Sequence, residues 1–221
     1  MLVLGFFFLM WFINEEKHKE YFKILESKVA LDKFRIPKSN PFEIFELLEP
    51  QEIKVVIIGQ DPYATKGYFD GIAFSARYSN VVPQSLQVLK KLFINTELKT
   101  GTPVGKVPND LRYLVKQGVF FSNLAWTTSE GNPGAHLFEE WITFSIRLVN
   151  FLSFNHPYIR FILLGNRASI LKQYINPTSI VYLEQHPAAD RYKKTIKKLE
   201  DSNVLININS SLKSPIKWTL Y

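Results

Sequence analysis

Asp61 is the most tightly framed acid in this chain. It stands in Gly59-Gln60-Asp61-Pro62-Tyr63, directly after the apolar run Ile53-Lys54-Val55-Val56-Ile57-Ile58. That run reads as a buried strand, and the glycine ends it. Pro62 fixes its own φ and restricts Asp61 before it, so the carboxylate leaves a rigid loop in one direction. Three further apolar runs close on polar residues: Asn123 after 118–122, Gly165-Asn166 after 159–164, and Gln185-His186-Pro187 after 179–183. A carboxylate, two carboxamides and an imidazole are the groups of acid–base work and of hydrogen-bond readout. Any one of them alone is an ordinary turn or cap residue. One at the end of each of four strands makes a candidate site.

Whether they meet depends on the elements between them. Residues 84–94 place Leu86, Leu89 and Phe93 on one helical face, and Trp141, Ile142, Ser145, Leu148, Val149 and Leu152 form a second apolar stripe. A third helical segment, 166–174, follows the third strand. Strands alternating with helices imply an α/β fold, a three-layer α/β/α sandwich around a central four-stranded parallel sheet. In such sheets ligands bind beyond the carboxyl ends of the strands, the edge on which these polar residues fall.

Composition narrows the partners. The 221 residues carry a net charge of +7, which permits a polyanionic partner. With no cysteine there is no disulfide framework and no thiolate chemistry, and four histidines without ligand spacing argue against a zinc site. No glycine-rich phosphate loop follows any strand, which argues against a nucleotide-binding α/β protein. Residues 1–13 are apolar but too short to span a bilayer, and no basic segment precedes them. The expectation is a protein without membrane attachment, not secreted, cytoplasmic or nuclear. Residues 1–10 are read as a non-functional apolar extension ahead of a docking helix. Lys193, Lys194, Lys197 and Lys198 read as a solvated helix face. No repeat or linker interrupts the chain, so 1–221 reads as one domain.

The ordered set of motifs resembles the family 1 uracil-DNA glycosylases over nearly the whole chain. Trp11, Glu15-Glu16 and Tyr21-Phe22 are similar to the family's opening helix, and residues 54–63 to its water-activating motif. Gly71-Ile72-Ala73-Phe74-Ser75 resembles the segment with the base-stacking Phe, and Val82-Pro83-Gln84-Ser85-Leu86 the proline-rich loop that touches phosphates. Residues 117–123 resemble the strand carrying the uracil-reading Asn; Trp141, Thr143 and Phe144 match a helix signature, and Pro215-Ile216-Lys217-Trp218 the family's ending. The chain departs from the pattern in three places. Ala64 follows Tyr63, Asn166 replaces the Ser of a Gly-Ser loop, and the loop after His186 reads Pro187-Ala188-Ala189-Asp190-Arg191-Tyr192, without the Leu that wedges into the DNA stack. That loop is similar to the poxviral variant of the family.

The resemblance implies a monofunctional DNA-repair glycosylase that flips uracil out of DNA, single- or double-stranded, and hydrolyses its glycosidic bond. Flipping costs a few kcal/mol of pairing and stacking, which a fitted pocket must offset. Asp61 is then the catalytic carboxylate, stabilising the sugar cation and orienting water, and His186 donates a hydrogen bond to uracil O2 as charge grows there. Phe74 stacks on the base, with Gln60 also in the uracil pocket. Asn123 reads O4 and N3–H, a pattern that cytosine reverses. Tyr63 excludes thymine by clashing with its methyl group. Pro83, Ser85, Gly165 and Asn166 contact DNA phosphates, and Arg191 or Tyr192 replaces the missing wedge. No metal and no organic cofactor is implied. Uracil-containing DNA is the expected partner, a DNA-mimicking inhibitor protein is a second one that the resemblance raises, and the expected state is a monomer. The alternative is a DNA-binding or polymerase accessory subunit of the same fold with weak or lost activity.

Overall fold

A computed structural model describes residues 16–37, 41–191 and 198–221. The apolar extension expected over residues 1–10 lies outside the described residues, as do Trp11, Tyr192, Lys193, Lys194 and Lys197.

The four apolar runs form the sheet. They are β2 (Val55–Gly59), β3 (Val119–Asn123), β5 (Arg160–Leu164) and β6 (Val181–Glu184), all parallel, in the order β3-β2-β5-β6. A short pair, β1 (Arg35–Ile36) and β4 (Thr128–Ser129), is antiparallel and separate. Every residue of β2 and β3 is buried, as expected of strands covered on both faces; β6, at one edge, is partly open. The register pairs Gly59 with Asn123, the last residues of their strands. Beyond it, the Leu124 and Ala125 amides donate to the carbonyls of Gly59 and Gln60 at 3.0 and 2.9 Å. The Asp61 loop therefore leaves the sheet tied to its neighbour.

Helices cover the sheet in two groups. The long α3 (Gln84–Thr100) packs with α7 (Val204–Ser210) and the 3-10 turn Leu199–Asp201. In the other, α5 (Glu139–Asn155) packs with α1 (Glu16–Ala30) and the 3-10 turn Ile170–Tyr174. Short helices α2 (Ile44–Leu47), α4 (Arg112–Val115) and α6 (Gly165–Ser169) complete the fold, which is the three-layer α/β/α arrangement expected. The stripe on α5 is buried at Trp141, Ser145, Leu148, Val149 and Leu152. Trp141 and Phe144 join Phe42, Phe45 and Trp126 in an aromatic cluster, with Phe42 5.5 Å from Trp126 and 6.0 Å from Trp141. Among the described residues no helix is long and apolar enough to cross a membrane.

Two helix boundaries differ from the sequence expectation. The helix expected over 84–94 runs on to Thr100, where Gly101 closes it at φ 70. The helix expected over 166–174 is α-helical only through Ser169 and tightens into a 3-10 turn ahead of Pro177.

Candidate active site

At the carboxyl edge of the sheet, a cavity of about 340 Å³ is walled by Gln60, Asp61, Tyr63, Phe74, Ser85 and His186, with Pro133 and Ala188 beside them. A second space, of about 250 Å³, is lined by Gln60, Gly165, Asn166, Gln185 and His186. Gln60 and His186 are common to both, so the two are contiguous around these side chains.

Asp61 is held from three sides. Its Oδ1 accepts from Gln60 Nε2 at 3.2 Å, and its Oδ2 accepts from the Thr128 hydroxyl at 3.0 Å and from the Gly134 amide. The Gly131 amide donates to the Ala64 carbonyl at 2.8 Å, pinning the same two loops together. Thr128 and Gly134 were not singled out from sequence. Residues 131–134, Gly-Asn-Pro-Gly, signal a turn, but nothing in that signal says which carboxylate the turn will hold.

His186 faces Asp61 across the cavity. The Ala188 amide donates to its Nδ1 at 3.2 Å, which makes Nδ1 an acceptor and leaves the proton of the neutral ring on Nε2. Burial pushes its pKa below the ordinary imidazole value, while the Asp61 charge opposes the shift. A Cβ on Gly165 would lie 2.8 Å from the His186 Cβ, and Gly165 has φ 86. Glycine there satisfies both the close approach and the left-handed backbone.

Phe74 is the one non-glycine residue with positive φ, at 66, among those described. Such a conformation costs about 1–3 kcal/mol and persists only where the surroundings over-determine it. Those surroundings are visible. The Tyr63 hydroxyl donates to the Phe74 carbonyl at 2.7 Å. Buried Asp70 accepts from the amides of Ile72 and Arg77 and from the Ser75 hydroxyl, at 3.2, 2.7 and 2.7 Å. Arg112 backs Asp70 at 3.4 Å. Burial also raises the Tyr63 phenol well above its usual pKa, so it remains a neutral donor.

Asn123 approaches from the neighbouring strand. Its Oδ1 and the Phe74 ring both converge over Gly59, and its carboxamide makes no hydrogen bond among the described residues. It lines a separate narrow space of about 10 Å³ with Gly71, Ala73, Phe121 and Trp126. Pro83 is buried at the start of α3, while Ser85 reaches the cavity wall. Arg191 ends a 3-10 turn, Pro187–Arg191, that begins directly after His186.

Fold and site together define an α/β protein with a carboxylate and an imidazole facing one pocket at the carboxyl edge of a parallel sheet. The chain is 35% identical over 223 residues to the uracil-DNA glycosylase of Mesomycoplasma hyopneumoniae, covering 96% of this chain and 97% of that protein. It is 38% identical over 184 residues to the uracil-DNA glycosylase of Borreliella burgdorferi, covering 80% of each. A mimivirus UNG variant, solved in complex with UGI, shares the fold with a TM-score of 0.77 at 27% identity, over 92% of this chain and 84% of that one. No protein-family model matches the chain. The chain belongs to the uracil-DNA glycosylases.

Proposed function

We propose that this protein hydrolyses the N-glycosidic bond of uracil flipped out of DNA, leaving an abasic site, with Asp61 and His186 as its catalytic pair. The observation that carries the reading is that these two side chains, distant in sequence, face one cavity that Phe74 and Tyr63 also wall. Bond breaking puts positive charge on the sugar and negative charge on the departing base. Asp61, oriented by Gln60, Thr128 and Gly134, stabilises the sugar cation and orients the attacking water. His186, neutral with its proton on Nε2, donates to uracil O2 as charge accumulates there. Phe74 stacks on the base, Gln60 borders it, and Asn123 pairs with O4 and N3–H.

Tyr63 keeps thymine out. Its ring stands edge-on to Tyr68, 6.1 Å away at 80°, and its hydroxyl is tied to the Phe74 backbone, so it cannot yield to an added methyl group without breaking that bond. Pro83, Ser85, Gly165 and Asn166 hold phosphates of the bent strand, and Arg191 or Tyr192 fills the gap left by the base. The protein works as a monomer, without metal or organic cofactor. A DNA-mimicking inhibitor protein would compete for the same face; the mimivirus UNG in complex with UGI motivates that partner.

The test is direct. A uracil-containing oligonucleotide incubated with the protein and then treated with alkali should break at the uracil, and a thymine control should stay whole. An intact uracil strand would sink the proposal.

A further inference from the structure

We propose that a cleft at the opposite, amino-terminal edge of the sheet is a second binding site, built for a phosphate-bearing anion. The cleft encloses about 430 Å³, more than the cavity beside Asp61, and its walls include Lys54, Tyr158, Arg160, Ser211, Lys213 and Ser214. Lys54 precedes β2 and Asp61 lies beyond its other end. The seven residue steps from one to the other span up to roughly 23 Å at about 3.3 Å per residue. The cleft is therefore distinct from the catalytic cavity.

Three cations meet there without a counter-charge. Among the described residues, neither Lys54, Arg160 nor Lys213 has a carboxylate partner. Arg160 is anchored entirely by neutral groups. Its Nε donates to the Ser211 hydroxyl at 3.0 Å, its Nη2 to the Ser211 carbonyl at 2.7 Å, and its Nη1 to the Tyr158 carbonyl. Lys54 Nζ reaches only the Ser214 carbonyl, at 3.4 Å. Like charges crowded in one cleft repel unless an anion joins them. The guanidinium is already immobile, so an incoming anion meets a preformed positive field and little ordering cost remains.

The wall is rigid as well. Asn209 pins the far end of the loop to α7: its Nδ2 donates to the Ile216 carbonyl at 2.9 Å, and its Oδ1 accepts from the Ile216 amide at 3.0 Å. Charge count favours a phosphomonoester over a carboxylate, because a dianion balances two ammonium groups and a carboxylate only one. The volume exceeds what inorganic phosphate needs, and the half-exposed Tyr158 ring and Leu212 offer an apolar wall to a planar base. A mononucleotide fits this chemistry, and so does the 5′-terminal phosphomonoester of a nucleic-acid strand.

The test follows the backbone amides of Ser211, Leu212 and Ser214 by heteronuclear NMR. Inorganic phosphate, AMP and 5′-phosphorylated, uracil-free oligothymidylate are titrated separately into the wild type and into the double variant Lys54→Gln/Lys213→Gln. Arg160 is kept, because it ties the end of α7. Saturable shifts at these amides are expected, with the Kd raised about tenfold or more in the double variant. Shifts with phosphate and AMP assign the site to free phosphomonoesters. Shifts with the oligonucleotide alone assign it to the 5′-phosphate of a nucleic-acid strand. The absence of saturable shifts in every arm, or equal affinity in the double variant, overturns the proposal.

Discussion

Gly59 and Phe74 approach so closely that a Cβ on the glycine would stand 2.5 Å from the Cζ of the ring, and 2.9 Å from Asn123 Oδ1. One missing methyl group thus lets the Phe74 ring and the Asn123 amide share the end of one strand. Gly59→Ala is expected to displace the ring and to cost about 1–3 kcal/mol of stability by overpacking. Uracil excision should fall with it. Urea unfolding and single-turnover excision measure the two effects. Parental values of both would mean that the ring moves aside freely.

Asp61→Asn preserves an acceptor for Thr128 and Gly134, so the loop should keep its shape. In the proposed mechanism the lost charge removes both cation stabilisation and the base for water. Turnover should drop by about 10²–10⁴-fold with little change in DNA affinity. Single-turnover rates and fluorescence anisotropy on a uracil strand separate the two. An unchanged rate would remove Asp61 from the chemistry.

Tyr63 supports two distinguishable variants. Tyr63→Phe deletes only the bond to the Phe74 carbonyl, and about 0.5–1.5 kcal/mol of stability should go with it while thymine is still refused. Tyr63→Ala opens the space beside C5, and release of thymine from DNA should become detectable. If both variants leave thymine untouched, selectivity resides elsewhere.

His186 yields a pH prediction with a definite sign. Its folded-state pKa lies below the ordinary imidazole value near 6.5, chiefly through burial. The unfolded chain therefore binds its proton first as pH falls. The neutral ring's contribution is complete above about pH 6.5 and is lost as pH drops toward the folded-state value. Relative to the parent, His186→Gln should lose less unfolding free energy between pH 7 and 5. Nitrogen-15 NMR at pH 7 should show the ring neutral with the proton on Nε2. A cationic ring at that pH would contradict the proposed role.

Much of this was legible in the chain. Continuous apolar runs at 53–58 and 159–164 announced strands covered on both faces, and helices between them required a parallel sheet. In such a sheet ligands gather beyond the carboxyl ends of the strands, so Asp61, Asn123, Asn166 and His186 could be assigned to that edge from their places after the strands. The register that pairs Gly59 with Asn123 was not legible; it is set by hydrogen bonding between strands distant in sequence.

Other features were decided only by packing. Nothing in Phe74 as a letter predicts a left-handed backbone; Asp70 and Tyr63 impose it through contacts made after the chain has folded. Thr128 and Gly134 reach Asp61 across a loop that local propensity does not specify. The tautomer of His186 hangs on the Ala188 amide, and the crowding of Lys54, Arg160 and Lys213 on strands and loops distant in sequence. Periodicity and turn chemistry act over a few neighbouring residues, and so set the elements and the edge at which the polar residues gather. Orientation, protonation and strain depend on neighbours distant in sequence, and those exist only in the assembled fold.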